Sequence, residues 1–333
     1  MSTLHAPSHE YRDYAQLLDD YYERGWTDGL PVVPPTPEAV DDFLAAAALD
    51  PDTVIGTVPT REVTVTAEHV AINAVMAGCR REYMPVVIAA VRAHLHEKGN
   101  CHSTTGTLSG AAQAVIVNGP ARVSLDVNCS AGCFGPGWRA NATIGRALRL
   151  VIRNVCRSIP NFLDRGSFST PARYSFCFGE DEEGSPWTPM SVERGIPAGT
   201  SAVTVASVMT MASAFDLASR TPEGILDTVA RTIRQRGVAT DVWLGEDTNV
   251  VVVMGPEHRR FLVDAGWSKA DARSYLWPKL TAERGPGDAR VGLGKPEGIL
   301  LVAAGGPGML ETWILFPHLA WAITEPVVPD VST

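Results

Sequence analysis

The sequence has no dense run of lysine and arginine. It carries 28 basic residues against 37 acidic ones, which gives a formal net charge of −9. Nucleic acids and anionic membrane surfaces attract proteins through a basic field, so this composition argues against both as the main partner. A local cationic pocket for a small anionic metabolite remains compatible with this charge.

Signals for export and for membrane insertion are also lacking. The segment Met1–Asp20 is polar and acidic, without the basic and apolar stretches of a signal peptide. The most apolar stretch, Gly298–Ile323, is interrupted by glycines, by Glu311 and by Pro317, which makes it a poor membrane span. We therefore expect a cytoplasmic protein whose six cysteines are reduced.

No linker rich in glycine and serine divides the chain, although its 333 residues exceed the usual size of one domain. Near-continuous apolar runs such as Ala114–Val117 and Gly298–Ala304 predict strands that are buried on both faces. Helical patterns alternate with these runs, which indicates an α/β fold with mixed sheets. We predict an N-terminal arm of helices and a proline-rich segment over residues 1–60. Two related α/β halves, 61–195 and 196–333, follow and pack together.

The two predicted halves repeat the same elements at an offset of about 125–140 residues. Three features recur. Val-Thr-Val occurs at positions 63 and 203, and a strand is followed by Gly-Pro at positions 119 and 255. A helix begins with proline at positions 85 and 222. In this alignment Ser207–Ala218 is a helix, the counterpart of Ala67–Ala77. The alternative is that any α/β chain alternates strands and helices. Repetition at one offset favours an internal duplication.

The strongest local feature is a glycine-rich loop that leads into an amphipathic helix, over residues 128–153. Gly135 and Gly137 allow a ligand to approach the backbone closely. Arg139 and Asn141 lie at the start of the helix, where free N–H groups and the helix dipole favour an anion. The pattern predicts a cradle for a carboxylate or phosphate, with an ordinary tight loop as the alternative. The spacing matches neither the dinucleotide fingerprint nor the P-loop, so we expect no nucleotide cofactor.

Three cysteines are candidates for chemistry. Cys129 and Cys133 flank the glycine-rich loop, and their spacing is not that of a structural zinc site, so a redox pair or a single nucleophile is the functional interpretation. Cys79 ends a helix beside Arg80, whose charge favours the thiolate and which also fits an anionic substrate. The alternatives are small apolar packing residues in the loop and a helix-capping turn at Cys79.

Two histidines and one acidic residue complete the candidate set. His258 follows the second strand-Gly-Pro, where residues line the crevice of open α/β sheets, and it is the best candidate for acid–base catalysis. His102 lies in a polar run and is a candidate base. Glu180 begins an acidic cluster that suits a divalent cation. All three are candidate metal ligands. The alternatives are a helix-start residue, a polar surface loop and a solvated acidic loop.

The run VTVTAEHVAINAVMAGCRREYMPVVIAAVRA, with DGLPVVPP before it and GPGWRANATIGRALRL after it, resembles a prokaryotic family of unassigned function. That family is similar to the larger region of the UGSC-type (seleno)proteins. The resemblance covers most of Trp26–Pro317, but the UGSC motif itself is absent, so redox activity is not implied. What the resemblance implies is that the Cys79 turn and the segment Gly135–Arg149 belong together. It implies no substrate.

These features predict an enzyme that acts on a small carboxylate or phosphate metabolite in a cleft between the halves. Cys79 and His258 would supply the nucleophile and the acid–base group, and we expect lyase or hydrolase chemistry. One alternative is a metal-dependent enzyme in which histidine, cysteine and acidic ligands hold a divalent transition metal. Others are a thiol-disulfide or sulfur-transfer protein that uses Cys129 and Cys133, and a non-catalytic subunit of a complex. We expect a homo-oligomer, and a homodimer is the commonest kind.

Overall fold

The computed structural model describes residues 4–238, 248–282 and 292–329, and it is a mixed α/β protein. The helices are α1 (Tyr14–Glu23), α2 (Pro37–Ala46), α3 (Ala67–Ala77), α4 (Met84–Leu95), α5 (Cys101–Thr105), α6 (Pro120–Ser124), α7 (Arg139–Asn154), α8 (Met190–Glu193), α9 (Pro222–Arg236), α10 (Pro256–Asp264) and α11 (Lys269–Thr281). The strands are β1 (Val54–Val58), β2 (Val63–Thr66), β3 (Ala112–Asn118), β4 (Cys177–Gly179), β5 (Ala202–Phe215), β6 (Val250–Met254), β7 (Ile299–Ala303), β8 (Glu311–Pro317) and β9 (Ile323–Pro326). None of the helices in these ranges combines the length and the apolarity needed to cross a membrane.

Several helix boundaries follow directly from local sequence. Thr36 caps α2 with its side chain and Pro37 occupies the first helical position, as the sequence predicts. Thr66 forms a capping box with His69 at the start of α3. Gly78 ends α3 with a φ of 86°, a conformation that favours glycine.

Seven strands of the described residues form one mixed sheet in the order β4-β3-β5-β8-β6-β7, and β9 pairs with the first part of β5. β3 and β4 are parallel, as are β6 and β7. Each pair has an antiparallel neighbour, which is β5 for the first pair and β8 for the second. The chain therefore builds two strand trios, β3-β4-β5 and β6-β7-β8, with the same order and directions. Antiparallel pairing of β5 with β8 joins the trios.

The sheet curls so that its two outer strands approach each other. The backbone N–H of Asp181, just after β4, donates to the carbonyl of Ala303 at the end of β7 at 2.7 Å. Inside the curl, Ile116 of β3 and Val253 of β6 belong to one buried cluster. On the other face, Val115 packs in the cluster that contains α3, α4 and α7. Burial on both faces explains why the strands are almost wholly apolar.

The helix expected over Ser207–Ala218 is wrong, because β5 runs through Ala202–Phe215 instead. The first part of β5 pairs with β3, and its later part pairs with β8. Alanine and methionine favour a helix when they are considered alone. Here the position of the segment between β3 and β8 makes it a strand, because those strands form hydrogen bonds with its backbone.

The segment between α1 and α2 lies along α7. The Arg146 guanidinium forms two hydrogen bonds of 2.8 Å with the carboxylate of Asp28. Arg153 donates from Nε to the carbonyl of Gly25 at 3.1 Å. Further on, β1 pairs with β2 across the predicted boundary at residue 60. The two-stranded sheet therefore connects the N-terminal part of the chain to the rest.

Candidate functional site

Cys79 lies in the turn after α3 and is buried. Its thiol donates to the carbonyl of Thr143 in α7 at 3.4 Å, and burial raises the pKa of the thiol to about 12. Arg139 donates from Nε to the carbonyl of Gly78 at 3.0 Å, so it caps the C-terminal end of α3 instead of facing a ligand. Arg80 is exposed. This geometry gives the turn a packing role.

His258 is fully buried in the first turn of α10. Its Nδ1 lies 3.0 Å from Oγ1 of Thr312, and its Nε2 lies 3.2 Å from the carbonyl oxygen of Asp216. Because a carbonyl can only accept, Nε2 carries the proton and Nδ1 accepts from the threonine. Burial lowers the pKa of this imidazole, and both of its nitrogens are engaged. His258 thus ties α10 to β8, and it does not adjoin Cys79, which packs between α3 and α7.

The three candidate metal ligands lie in different places. His102 is exposed on α5, with Nδ1 2.9 Å from Oγ1 of Thr60. Glu180 is buried against Lys269, and His258 contacts β8. In the described ranges, no three histidine, cysteine, aspartate or glutamate side chains are grouped as they would be around a metal ion.

The loop between α6 and α7 carries the other two candidate thiols, Cys129 and Cys133. Asn141, buried in the first turn of α7, accepts from the backbone N–H of Asn128 at 2.8 Å and donates to the carbonyl of Cys133 at 3.3 Å. It therefore fastens the loop to the helix. Burial raises the pKa of Cys133 to about 12. Cys129 is only half-buried, whereas the other five cysteines are buried, so it is the thiol that solvent reaches most easily.

The start of α7 is less suited to an anion than its sequence indicates. Gly135 and Gly137 are exposed, and Gly137 has a φ of 126° that favours glycine. The arginine of the first turn points to α3, as described above. The free N–H groups of this turn therefore lack the adjacent cation that the sequence pattern predicts.

A group of charged residues surrounds Cys129 where the ends of the two trios meet. We call this group the strand-end site, and it consists of Arg122 of α6, Cys129, Asp181 and Glu183 of the loop after β4, and Arg259 of α10. The carbonyl of Cys129 accepts from the N–H of Gly305, just after β7, at 2.8 Å. Loops of both trios therefore converge on this cysteine.

Arg122 lies at the centre of the strand-end site. Its side chain is 6% exposed, and Nη1 donates to Sγ of Cys129 at 3.5 Å. Its Nη2 donates to both carboxylate oxygens of Glu183, whose side chain is 67% exposed. Its Nε is buried and has no acceptor among the described residues. A buried guanidinium with an open N–H and an exposed, displaceable partner is suited to hold another carboxylate.

Glycine at the end of β4 makes this arrangement possible. A Cβ on Gly179 would lie 2.6 Å from Cδ of Arg122 and 3.3 Å from Cβ of Cys129. On the other trio, Arg259 donates from Nη2 to Oδ2 of Asp181 at 2.6 Å, and its Nη1 is buried without a partner in the described part of the chain. Two buried arginines with open N–H groups therefore contact the same loop after β4. We call this loop, residues 180–183, the acidic loop.

Burial and the charges of the site together set the protonation state of the Cys129 thiol. Burial is the largest cause that raises the pKa of Cys129 above its usual value. The negative charges of Asp181 and Glu183 raise it further, whereas Arg122 acts in the opposite direction. The thiol is therefore protonated at neutral pH, and neutralising the carboxylates favours the thiolate.

Replacing Glu183 with glutamine should speed alkylation of Cys129 by iodoacetamide at a fixed pH below 9. The change removes a charge that raises the pKa of Cys129 and keeps Arg122, which lowers it, so the thiolate fraction increases. Mass spectrometry of the Cys129 peptide measures the rate against pH, and the profile is expected to shift to lower pH. In guanidinium chloride both proteins should react alike. An unchanged profile in the folded variant would contradict the electrostatic arrangement.

A cavity of about 310 Å³ opens at the same acidic loop. Its wall includes Glu182, Trp187 and Ser191. One oxygen of the Glu182 carboxylate accepts from the backbone N–H of Gly119 at 2.7 Å, at the start of α6. The cavity therefore lies next to the helix that carries Arg122, and it offers space for the body of a small ligand.

A buried ion pair anchors the acidic loop. Nζ of Lys269 lies 2.9 Å from Oε1 of Glu180, and both side chains are 3% exposed. The other oxygen of Glu180 accepts from Nδ2 of Asn118 and from the backbone N–H of Met190, both at 2.7 Å. Glu180 is therefore fully bonded, and it holds the loop to β3, α8 and α11.

Reasoning from sequence missed Arg122 and Arg259. A signal for them exists, because each lies in the first turn of a helix that follows a buried strand and Gly-Pro. The same pattern predicts a candidate base at His258, one residue before Arg259. The repeated strand-Gly-Pro therefore precedes both arginines of the strand-end site.

Comparisons with family models, with curated proteins and with solved structures found no match. The resemblance to the UGSC-type proteins therefore stays a prediction.

Proposed function

We propose that this chain is an enzyme that acts on a small carboxylate or phosphate metabolite at the strand-end site. Arg122 binds the anionic group, and Cys129 is the nucleophile in the thiolate form that the charge of Arg122 favours. The chemistry is that of a lyase or a hydrolase. The cavity of about 310 Å³ beside Glu182 takes the body of the substrate.

The observation that carries this proposal is the bonding of Arg122. Nη1 donates to Cys129, and Nη2 donates to the carboxylate of Glu183, an exposed loop residue. Nε has no acceptor in the part of the chain that the structure describes. A substrate carboxylate that displaces Glu183 can accept from Nε and Nη2 in the paired geometry that a guanidinium favours. The carbon next to that carboxylate then lies near the sulfur of Cys129. Arg259 offers its open Nη1 to a second polar group of the substrate.

Turnover of a pool of small carboxylic and phosphorylated metabolites, followed by mass spectrometry, tests this function. The unmodified protein and a Cys133→Ala variant should consume the same metabolite, and Cys129→Ala should not. Cys133 lies in the same loop but is buried, so it is a matched control. Consumption by the Cys129→Ala variant at the rate of the unmodified protein would remove this thiol from the mechanism.

We further propose that the two halves arose by duplication. The identical strand order of the two trios and the repeated strand-Gly-Pro before an arginine-bearing helix turn support this origin. In this view the substrate cleft lies between two related units, and the segment before residue 60 is an added arm.

A thiol-disulfide protein is the second candidate function, and it uses a different pair of cysteines from the one that the sequence favours. Cys101 and Cys156 are both buried, and they lie close enough for the Cys156 side chain to act on the thiol of Cys101. The Cys156 side chain holds the pKa of Cys101 well below its usual value, and the nearby His94 and Arg61 lower it further. A thiolate in contact with a second thiol is the arrangement from which a disulfide forms.

Oxidation with diamide is expected to join Cys101 and Cys156. The two thiols lose their hydrogens to the diazene, which becomes a hydrazine, and the protein mass falls by about two hydrogens. Peptide mapping should find the bond between these two residues in the unmodified protein and in Cys129→Ser, but not in Cys156→Ser. A disulfide between Cys129 and Cys133, or no disulfide, would contradict this candidate function.

A further inference from the structure

A second cavity lies away from the strand-end site, between the N-terminal segment and α3. Its volume is about 680 Å³. Most of the wall is apolar or aromatic, and includes Tyr21 of α1, Trp26, and Ile72 and Met76 of α3. This size and lining are typical of a site for a small organic molecule.

A chain of amide groups forms a polar ledge in this wall. Nδ2 of Asn154 donates to Oδ1 of Asn73 at 2.8 Å and to the carbonyl of Trp26 at 2.9 Å. Nδ2 of Asn73 donates to the carbonyl of His69 at 2.8 Å. These bonds fix the orientation of both amides. Oδ1 of Asn154 is left buried, with no donor bonded to it in the described residues.

His69 adds a donor to the same ledge. Its Nδ1 accepts from the backbone N–H of Thr66 at 3.2 Å, so the neutral ring carries its proton on Nε2. Burial lowers the pKa of His69, which keeps the ring neutral. His69 and Asn73 are one helical turn apart, so they share one face of α3. The ledge therefore offers one acceptor and one donor beside an apolar space.

The charges around the cavity disfavour an anion. Glu68 is buried in the wall, and its carboxylate accepts from the backbone N–H groups of His5 and Ala6, both at 2.9 Å. These bonds also hold the N-terminal residues against α3. Among the described residues that line the cavity, none is lysine or arginine. A carboxylate ligand would therefore be buried without a cationic partner, which is costly.

We propose that this cavity binds a neutral small molecule with an aromatic or aliphatic body and an amide group. The amide N–H donates to Oδ1 of Asn154, and the amide carbonyl accepts from Nε2 of His69. The body of the ligand packs between Tyr21, Trp26 and Ile72. This ligand differs in charge from the anion expected at Arg122, so the protein has two binding sites of different chemistry.

Calorimetric titration with N-acetyl-tryptophanamide tests the proposal, with N-acetyl-tryptophan as the matched anionic probe. The amide should bind, and the acid should bind at least about tenfold more weakly because its charge has no partner in the cavity. Absence of binding by the amide, or equal binding of the two probes, would overturn the proposal.

A pair of cavity-filling variants locates the binding. Ile72→Trp fills this cavity and should abolish binding of the amide, whereas Val192→Trp fills the cavity of about 310 Å³ and should leave it unchanged. If Ile72→Trp does not fold, the methyl resonances of Ile72 in the unmodified protein provide the same information. They should shift on titration with the amide, and shifts confined to Val192 would overturn the assignment.

Discussion

Replacing Lys269 with methionine is expected to lower the free energy of unfolding by about 3–5 kcal/mol. The change leaves the carboxylate of Glu180 buried without its cation, since both side chains are only 3% exposed. The remaining donors, Asn118 and the N–H of Met190, satisfy hydrogen bonds of the carboxylate but bring no full charge. Unfolding in urea, followed by circular dichroism, measures the loss.

The double variant Glu180→Gln, Lys269→Met is the control for this prediction. A glutamine oxygen still accepts from Asn118 and from Met190, and no charge remains buried, so the double variant should be more stable than Lys269→Met alone. If the double variant loses as much as the sum of the two single changes, the ion pair does not anchor the acidic loop as described.

Replacing Arg122 with methionine should have the largest effect on function. A substrate carboxylate would lose its buried cationic partner, which costs about 2 kcal/mol or more, or roughly a 30-fold rise in KM or fall in kcat/KM. Arg122→Lys keeps a charge but cannot present two parallel N–H groups, so we expect an intermediate loss. Steady-state kinetics on the metabolite found in the turnover assay measure both variants.

Arg194→Met provides a matched control for that experiment. Arg194 is a half-buried arginine that donates to the carbonyl of Ala322 and to Thr324, away from Cys129. The Arg194→Met substitution should leave the kcat/KM of the folded protein unchanged. Equal losses in Arg122→Met and Arg194→Met would indicate that a general loss of stability, and not anion binding, explains the result.

The coarse fold could be predicted from the sequence. Buried strands such as β3 and β7 are continuous apolar runs, and Thr36-Pro37 marks the start of α2. The strand β5 could not be predicted, because its alanines and methionines favour a helix. Only pairing with its neighbours β3 and β8 makes it a strand. Local patterns therefore predict elements well where burial and propensity agree, and badly where tertiary pairing decides.

The candidate site depends on contacts that local patterns do not show. Arg122 and Glu183 are 61 residues apart, and Arg259 and Asp181 are 78 residues apart. The curl of the sheet brings them together. Cys79 shows the opposite error, because its neighbouring arginines suggest a reactive thiolate, whereas burial dominates and raises its pKa to about 12. Charge in the sequence indicates reactivity only where the fold leaves the group accessible.

The most direct test of the account compares alkylation of Cys129 by iodoacetate and by iodoacetamide. The two reagents share the carbon that the sulfur attacks with loss of iodide, and they differ in carrying a carboxylate or an amide. If Arg122 holds a carboxylate beside Cys129, iodoacetate should react with saturation. Its rate relative to iodoacetamide should exceed the ratio in the unfolded chain by at least about tenfold, and Arg122→Met should abolish this preference. A ratio in the folded protein equal to that of the unfolded chain would contradict the anion site at Arg122.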